Sequence, residues 1–207
     1  MKKMNIGFDL VGHEDNGITL KEYLPILLKF QDVQMEEYGE IVIPFIFHAG
    51  ETLKDGDEID DNLYDAILLN TKRIGHGYSL YKHPELMKMC KDRNIPIEVC
   101  PISNEILRLT SGIGNHPIAC LMNHGIQCCL SSDDPAIFNN PMLSYDFYTL
   151  INYSQNTNMK TLKKLALNSL EYSRLPDDLK QGVIEQWNEQ WNDYMNWILN
   201  EFGDASK

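Results

Sequence analysis

No run of 18 or more apolar residues occurs anywhere in the sequence, so it offers no membrane-spanning helix. Basic side chains are scarce. Lys and Arg number 18 against 30 Asp and Glu, a net charge of −12. An acidic surface repels phosphate backbones, which argues against nucleic acid as a partner. Cysteine is sparse too. Cys90, Cys100, Cys120, Cys128 and Cys129 make an odd count with no Cys-x-x-Cys pair, which excludes a small disulfide scaffold and a zinc ribbon. Apolar neighbours such as Val99 and Leu130 mark them as ordinary buried thiols. Low-complexity linkers and internal repeats are lacking. Met1-Lys2-Lys3 opens like a secretion signal, but Asn5 and Asp9 interrupt the apolar stretch that should follow, so no signal peptide is read.

What is present is the material of one globular domain. The 207 residues are 43% hydrophobic, and ten Tyr, seven Phe and three Trp supply a core that a disordered chain would lack. The first two-thirds alternates strand-length apolar runs with amphipathic stretches. The runs are Met4 to Val11, Ile41 to Phe47, Arg73 to Ile74, Ile95 to Val99 and Ile126 to Leu130. Several carry β-branched residues side by side, as strands buried on both faces do, which predicts a parallel sheet covered by helices. Helices are expected over Leu20 to Tyr38, Leu63 to Leu69, Pro84 to Cys90 and Pro117 to Asn123, with Asp61 and Asn62 as N-cap types before the second. The last third reads as helices over Met142 to Tyr153, Leu162 to Tyr172 and Leu179 to Phe202. In the last of these, Val183, Trp187, Trp191, Tyr194 or Met195, and Ile198 form one stripe, expected to pack on the sheet. The alternation of strand and helix predicts an α/β fold of βα units.

The residues that directly follow each run are the informative ones. They are Gly12-His13-Glu14-Asp15, His48-Ala49-Gly50-Glu51-Thr52, Gly75-His76-Gly77, Cys100-Pro101-Ile102-Ser103-Asn104 and Ser131-Ser132-Asp133-Asp134-Pro135. In a parallel α/β barrel the C-terminal strand ends converge on one face. His48 and Glu51 could bring a metal ligand and a carboxylic acid to one pocket, although a hydrogen-bonded His and a capping Glu are the plainer reading. His76 lies between two glycines, whose lack of bulk lets a ligand approach, or else marks a simple turn. Asp133-Asp134-Pro135 commonly means turn chemistry. Two adjacent carboxylates at a buried strand end are costly unless a cation neutralises one. His83 and His116, each before a proline, are expected to cap helices or face solvent. His124 suits a helix C-terminus.

In this order and spacing the motifs Gly7-Phe8-Asp9-Leu10-Val11-Gly12-His13-Glu14-Asp15, Phe47-His48-Ala49-Gly50-Glu51-Thr52, Arg73-Ile74-Gly75-His76-Gly77, Ile97-Glu98-Val99-Cys100-Pro101-Ile102-Ser103-Asn104 and Ser131-Ser132-Asp133-Asp134-Pro135 resemble the adenosine deaminase family. The wording is most similar to its secreted branch, adenosine deaminase 2 or the adenosine deaminase-related growth factors, with Leu143-Ser144-Tyr145-Asp146-Phe147-Tyr148 in support. The resemblance implies a metal-dependent hydrolase on a TIM-like (β/α) barrel that converts adenosine or 2'-deoxyadenosine to inosine and ammonia. It implies His48 and Asp133 as Zn2+ ligands and Glu51 as the acid that protonates a purine ring nitrogen. His76 would orient and deprotonate the attacking water. Asp134 and the Gly12 N–H would contact the purine, and His13, which its place after the first run sets beside the pocket, is a further candidate to touch the substrate.

The resemblance covers nearly the whole chain and implies that residues 1–207 form a single domain: strands four to eight of the barrel followed by C-terminal helices, with the N-terminal strands absent. The family's first strand carries a His-x-His pair of zinc ligands, and no His-x-His occurs here. The expectations are therefore little or no activity from this chain by itself, two unpaired sheet edges, and association with a second copy or a complementing N-terminal half. A non-catalytic, growth-factor-like or nucleoside-binding relative is the alternative. The branch implies an extracellular setting.

Overall fold

The computed structural model describes residues 7–39, 43–138, 143–154 and 157–203. Residues 4–6, 41–42 and 142, at the ends of predicted elements, lie outside them. Four strands form one parallel sheet in consecutive order: β1 (Phe47–Ala49), β2 (Ile74–His76), β3 (Ile97–Val99) and β4 (Cys128–Leu130). The register pairs His48 with Gly75, Gly75 with Glu98 and Glu98 with Cys129. The first predicted run contributes a single parallel bridge, Phe8 to Phe45, closed by Phe8 N–H to Pro44 O and Ile46 N–H to Phe8 O, both 2.9 Å.

The helices are α1 (Leu20–Tyr38), α2 (Asn62–Leu68), α3 (Pro84–Asp92), α4 (Pro101–Ile106), α5 (Ile118–Asn123), α6 (Ser144–Tyr153), α7 (Met159–Glu171) and α8 (Asp177–Phe202). α1 matches its predicted span, and Pro25 sits early enough to be tolerated. α7 starts three residues before expectation because Asn158 and Thr161 form a capping box. At α2 neither expected cap forms. Asp61 makes no side-chain cap bond, and the Asn62 side chain instead accepts Leu20 N–H and donates to Glu14.

One face of the sheet is a dry core. Phe47, Ile74, Ile97 and Cys128 lie in one row, and all are buried with Leu63, Ile67, Leu86, Ile118 and Leu121 from the covering helices. The other face departs from the expectation of apolar residues on both sides. Its row is His48, Gly75, Glu98 and Cys129, and Arg73 pairs with Glu98 on it. A cavity of about 520 Å3 opens beside them, lined by Ile46, Arg73, Glu98, Cys129 and Tyr172 among others.

Two further expectations are corrected. The outer edge of β4 is not bare: α7 packs against it, and Asn168 donates to the Cys128 carbonyl at 2.7 Å. The aromatic stripe of α8 does not pack on the sheet. α8 lies against α7, none of its residues is fully buried, and the rings of Trp187, Trp191, Tyr194 and Trp197 contact one another in turn along its own surface.

Candidate active site

The C-terminal ends of the strands meet in a cavity of about 350 Å3. His48, Glu51, His76, Asp133, Asp134, Gly12 and His13 all line it, with Glu14, Leu107, Leu109 and Phe138 among the other walls. His48, Glu51, His76 and Asp133 form its floor. His76 Nδ1 is 3.2 Å from Glu51 Oε1, His76 Nε2 is 3.6 Å from Asp133 Oδ2, and the two imidazole rings stand 5.1 Å apart. Gly12, His13 and Asp134 lie at the rim, and all three are exposed.

Local backbone geometry sets these positions. His76 and Asp133 have φ of 61° and 54°, left-handed conformations that cost a non-glycine residue about 1–3 kcal/mol each. The surrounding core holds them there. The glycines beside His76 make room for protein rather than for a ligand. A Cβ on Gly75 would meet the His48 ring at 3.0 Å, and one on Gly77 would meet Ile97 at 2.9 Å. The loop after the Phe8 bridge is tied to the segment after β1 by Glu14, which accepts the N–H groups of Gly50 and Glu51 and the amide of Asn62.

The charges are tuned by burial. Desolvation, reinforced by the Asp133 charge, pushes the Glu51 carboxyl up to about 7, so it holds a proton near neutrality. Burial pulls His76 down to about 4 against the attraction of Asp133, leaving a neutral imidazole. Burial also opposes the charged form of His48, but its hydrogen bond to Asp9 and the Asp9 charge outweigh that and raise its pKa. Glu14 is raised, chiefly by burial.

Sequence reasoning missed four members of the site. Asp9 holds His48 through Nδ1 and the backbone N–H, leaving Nε2 as the ring nitrogen not engaged by it. Glu14 is the second. Asn104 and His116 are the others. His116 does not face solvent: it is 6% exposed, its ring accepts the Ile118 N–H at the start of α5, and it bonds Asn104, which bonds His76. His83 makes no cap bond and is tied to the buried Asp60. His124 sits at the end of α5 as expected, its Nδ1 on the Cys120 carbonyl. The five thiols are free, and four of them are buried.

The donor set suits a transition-metal ion. One ligand atom each from His48, His76 and Asp133 lies within 4.8 Å of the others, two imidazoles and a carboxylate. The Asp9 carboxylate behind His48 is the outer partner that metal-bound imidazoles commonly have.

Comparison with known proteins agrees with this architecture. The family model described as "Adenosine deaminase" matches residues 6–190. The chain is 46% identical over 186 residues to adenosine deaminase 2 of Pongo abelii and 45% identical over 186 residues to that of Homo sapiens, in each case over 89% of this chain and 35% of the relative. It is 41% identical over 199 residues to adenosine deaminase 2 of Dictyostelium discoideum, over 95% of this chain and 35% of the relative. The chain thus spans about a third of the length of these relatives. Among solved structures, an adenine deaminase from Arthrobacter aurescens superposes with a TM-score of 0.75 at 24% identity, covering 90% of this chain and 52% of that one. An amidohydrolase from Burkhoderia ambifaria, solved with bound Zn, gives 0.75 at 19% identity, covering 95% and 51%. At these identities the likeness concerns the fold, a partial barrel of that type.

Proposed function

The chain belongs to the adenosine deaminase family, and from that premise we propose that it carries the acid, the imidazole and part of the metal site of a purine nucleoside deaminase. The reaction is adenosine or 2'-deoxyadenosine plus water to inosine, or its deoxy form, plus ammonia. One observation carries the reading: an acid with a pKa near 7 and a carboxylate stand 3.2 and 3.6 Å from the two nitrogens of one neutral imidazole, at the floor of one cavity.

The chemistry needs those groups. An aromatic amine leaves poorly, so the ring must become electrophilic as water attacks. Glu51 gives its proton to a purine ring nitrogen, which removes aromaticity at the carbon bearing the amine. Its burial is what keeps that proton available at neutral pH. His76 orients the attacking water beside Asp133. Asp134 and the Gly12 N–H, with His13 at the rim, hold the ring from the solvent side. His48 and Asp133 hold zinc, with Asp9 fixing the His48 ring. Zinc, when bound, supplies a water whose pKa falls to roughly 7. The zinc bound by the Burkhoderia amidohydrolase, which shares the fold, supports the choice of metal.

A catalytic zinc takes three or more protein ligands. The chain spans about a third of these relatives' length, and we take residues 1–207 as one domain whose metal site is completed by a polypeptide that carries further barrel strands. The resemblance to the secreted branch carries an extracellular setting. The test is zinc stoichiometry and inosine formation by the 207-residue chain, alone and mixed with such a polypeptide. Both are expected to appear on mixing and to be slight without it. Zinc uptake with no inosine in either arm would overturn the deaminase reading in favour of a nucleoside-binding relative.

A further inference from the structure

The side chains behind His76 form a directed chain of hydrogen bonds, and its direction is set by a backbone group. The Ile118 N–H donates to His116 Nδ1 at 3.1 Å. A peptide N–H can only donate, so His116 Nδ1 is a lone pair. A neutral imidazole carries one N–H, which must then be on Nε2. That nitrogen is 2.9 Å from Asn104 Oδ1. With its oxygen committed to His116, the Asn104 amide turns its NH2 to His76 Nδ1, 3.2 Å away. An NH2 group can only donate, so Nδ1 of His76 is an acceptor and its proton lies on Nε2. His116, Asn104 and His76 are 6%, 0% and 3% exposed, so bulk water does not compete for these bonds. Asn104 is held by its own main chain: its N–H donates to Cys100 O, and its carbonyl accepts from Leu109 and Thr110.

We propose that Asn104 and His116 are positioning residues that lock His76 as the tautomer protonated on Nε2. In that tautomer His76 offers a hydrogen bond toward Asp133 and the cavity and has no lone pair there for a metal, so His48 and Asp133 remain the ligands and His76 orients the attacking water as a donor rather than taking its proton. The lock also bears on Glu51. Its Oε1 lies 3.2 Å from the same Nδ1 lone pair, an arrangement that is repulsive unless the carboxyl oxygen carries a proton. The relay thus favours Glu51 in the form that can donate. Its catalytic meaning rests on the deaminase reading; the tautomer itself does not.

The test is a long-range 1H–15N spectrum of the 207-residue chain with labelled imidazoles, at neutral pH and without metal. The His76 signals are assigned by their loss in His76→Gln. The wild-type chain is expected to show His76 Nδ1 as the bare nitrogen and Nε2 as the protonated one. Asn104→Asp keeps the shape and still accepts from His116, but it puts a carboxylate oxygen against Nδ1. It is expected to invert the pattern. A protonated Nδ1 in the wild-type chain overturns the proposal without any variant, and so does an unchanged pattern in a folded Asn104→Asp chain. If the expected tautomer appears and the completed protein makes no inosine, the relay stands and the deaminase reading falls. Inosine formation with Nδ1 protonated does the reverse.

Discussion

Asp9 holds His48 twice: one carboxylate oxygen lies 2.7 Å from the ring Nδ1, and the other accepts the His48 backbone N–H at 3.0 Å. The two residues are 39 positions apart and belong to neighbouring strand segments. The pair fixes both the ring's orientation and the nitrogen it leaves for a ligand. It also raises the imidazole's basicity, which strengthens it as a metal donor. Asp9→Asn is therefore expected to weaken zinc binding about 10–100-fold, the usual loss for an outer-shell partner. Competition against a chromophoric chelator reads this directly. Equal affinity in variant and wild type would remove Asp9 from the site.

Gly75 is constrained by the same ring. Its φ is not left-handed, so alanine is compatible with the backbone, but the added Cβ would stand 3.0 Å from His48 Cγ and Nδ1. The ring has to swing away from Gly75, which separates it from Asp9. Gly75→Ala is expected to destabilise the fold by about 1–3 kcal/mol and to lower zinc affinity. Gly114→Ala, where a Cβ meets nothing within 4 Å, serves as the comparison. Urea titrations with and without zinc separate the two effects. A Gly75→Ala chain that binds zinc as tightly as Gly114→Ala would show that the contact does not govern the ring.

These relationships mark where the sequence was readable and where it was not. The strands and most helices were legible because short β-branched runs and 3.6-residue periodicity are local signals. The convergence of His48, Glu51, His76 and Asp133 followed from the rule that parallel strands end on one face. Asp9 was misread because a carboxylate inside an apolar run looks like an interruption, and its partner lies far along the chain. α4 was missed because six residues are too few to display a period. His116, before a proline at a helix start, was expected to cap that helix or face solvent. Its ring is instead held by the Ile118 N–H on one side and by Asn104 on the other, and the second contact is tertiary. Asn104 itself carries no mark in the sequence beyond a polar residue after a strand.

Glu51 makes the stability of the metal-free chain depend on pH with a definite sign. Its pKa rises from an ordinary 4.5 to about 7 in the folded state, chiefly through burial. Between those values the folded chain binds more protons than the unfolded one, so this group's contribution is fully present below pH 4.5 and is lost as pH rises toward 7. Glu51→Gln cannot lose it. The variant is expected to gain stability relative to wild type across that window, by at most about 3 kcal/mol, and to hold the gain above it. Paired thermal unfolding curves from about pH 4 to 8 measure the difference. A difference that shrinks as pH rises would reverse the assignment.

The outer edge of β4 gives the last prediction. On its inner side β4 bonds to β3, with Ile97 N–H on Gln127 O and Ser131 N–H on Val99 O. The Cys128 carbonyl points the other way, toward α7, where Asn168 Nδ2 donates to it at 2.7 Å. Carbonyl and amide are both buried, Cys128 at 1% and Asn168 at 2% exposure. Water therefore cannot replace the bond if the donor is removed. Asn168→Leu keeps the packing of α7 nearly intact but strands the carbonyl, which costs about 1–3 kcal/mol. The urea midpoint is expected to fall with the slope of the transition unchanged, since the surface exposed on unfolding is the same. An unaltered midpoint would mean that the packing of α7 on β4, and not this hydrogen bond, closes the edge.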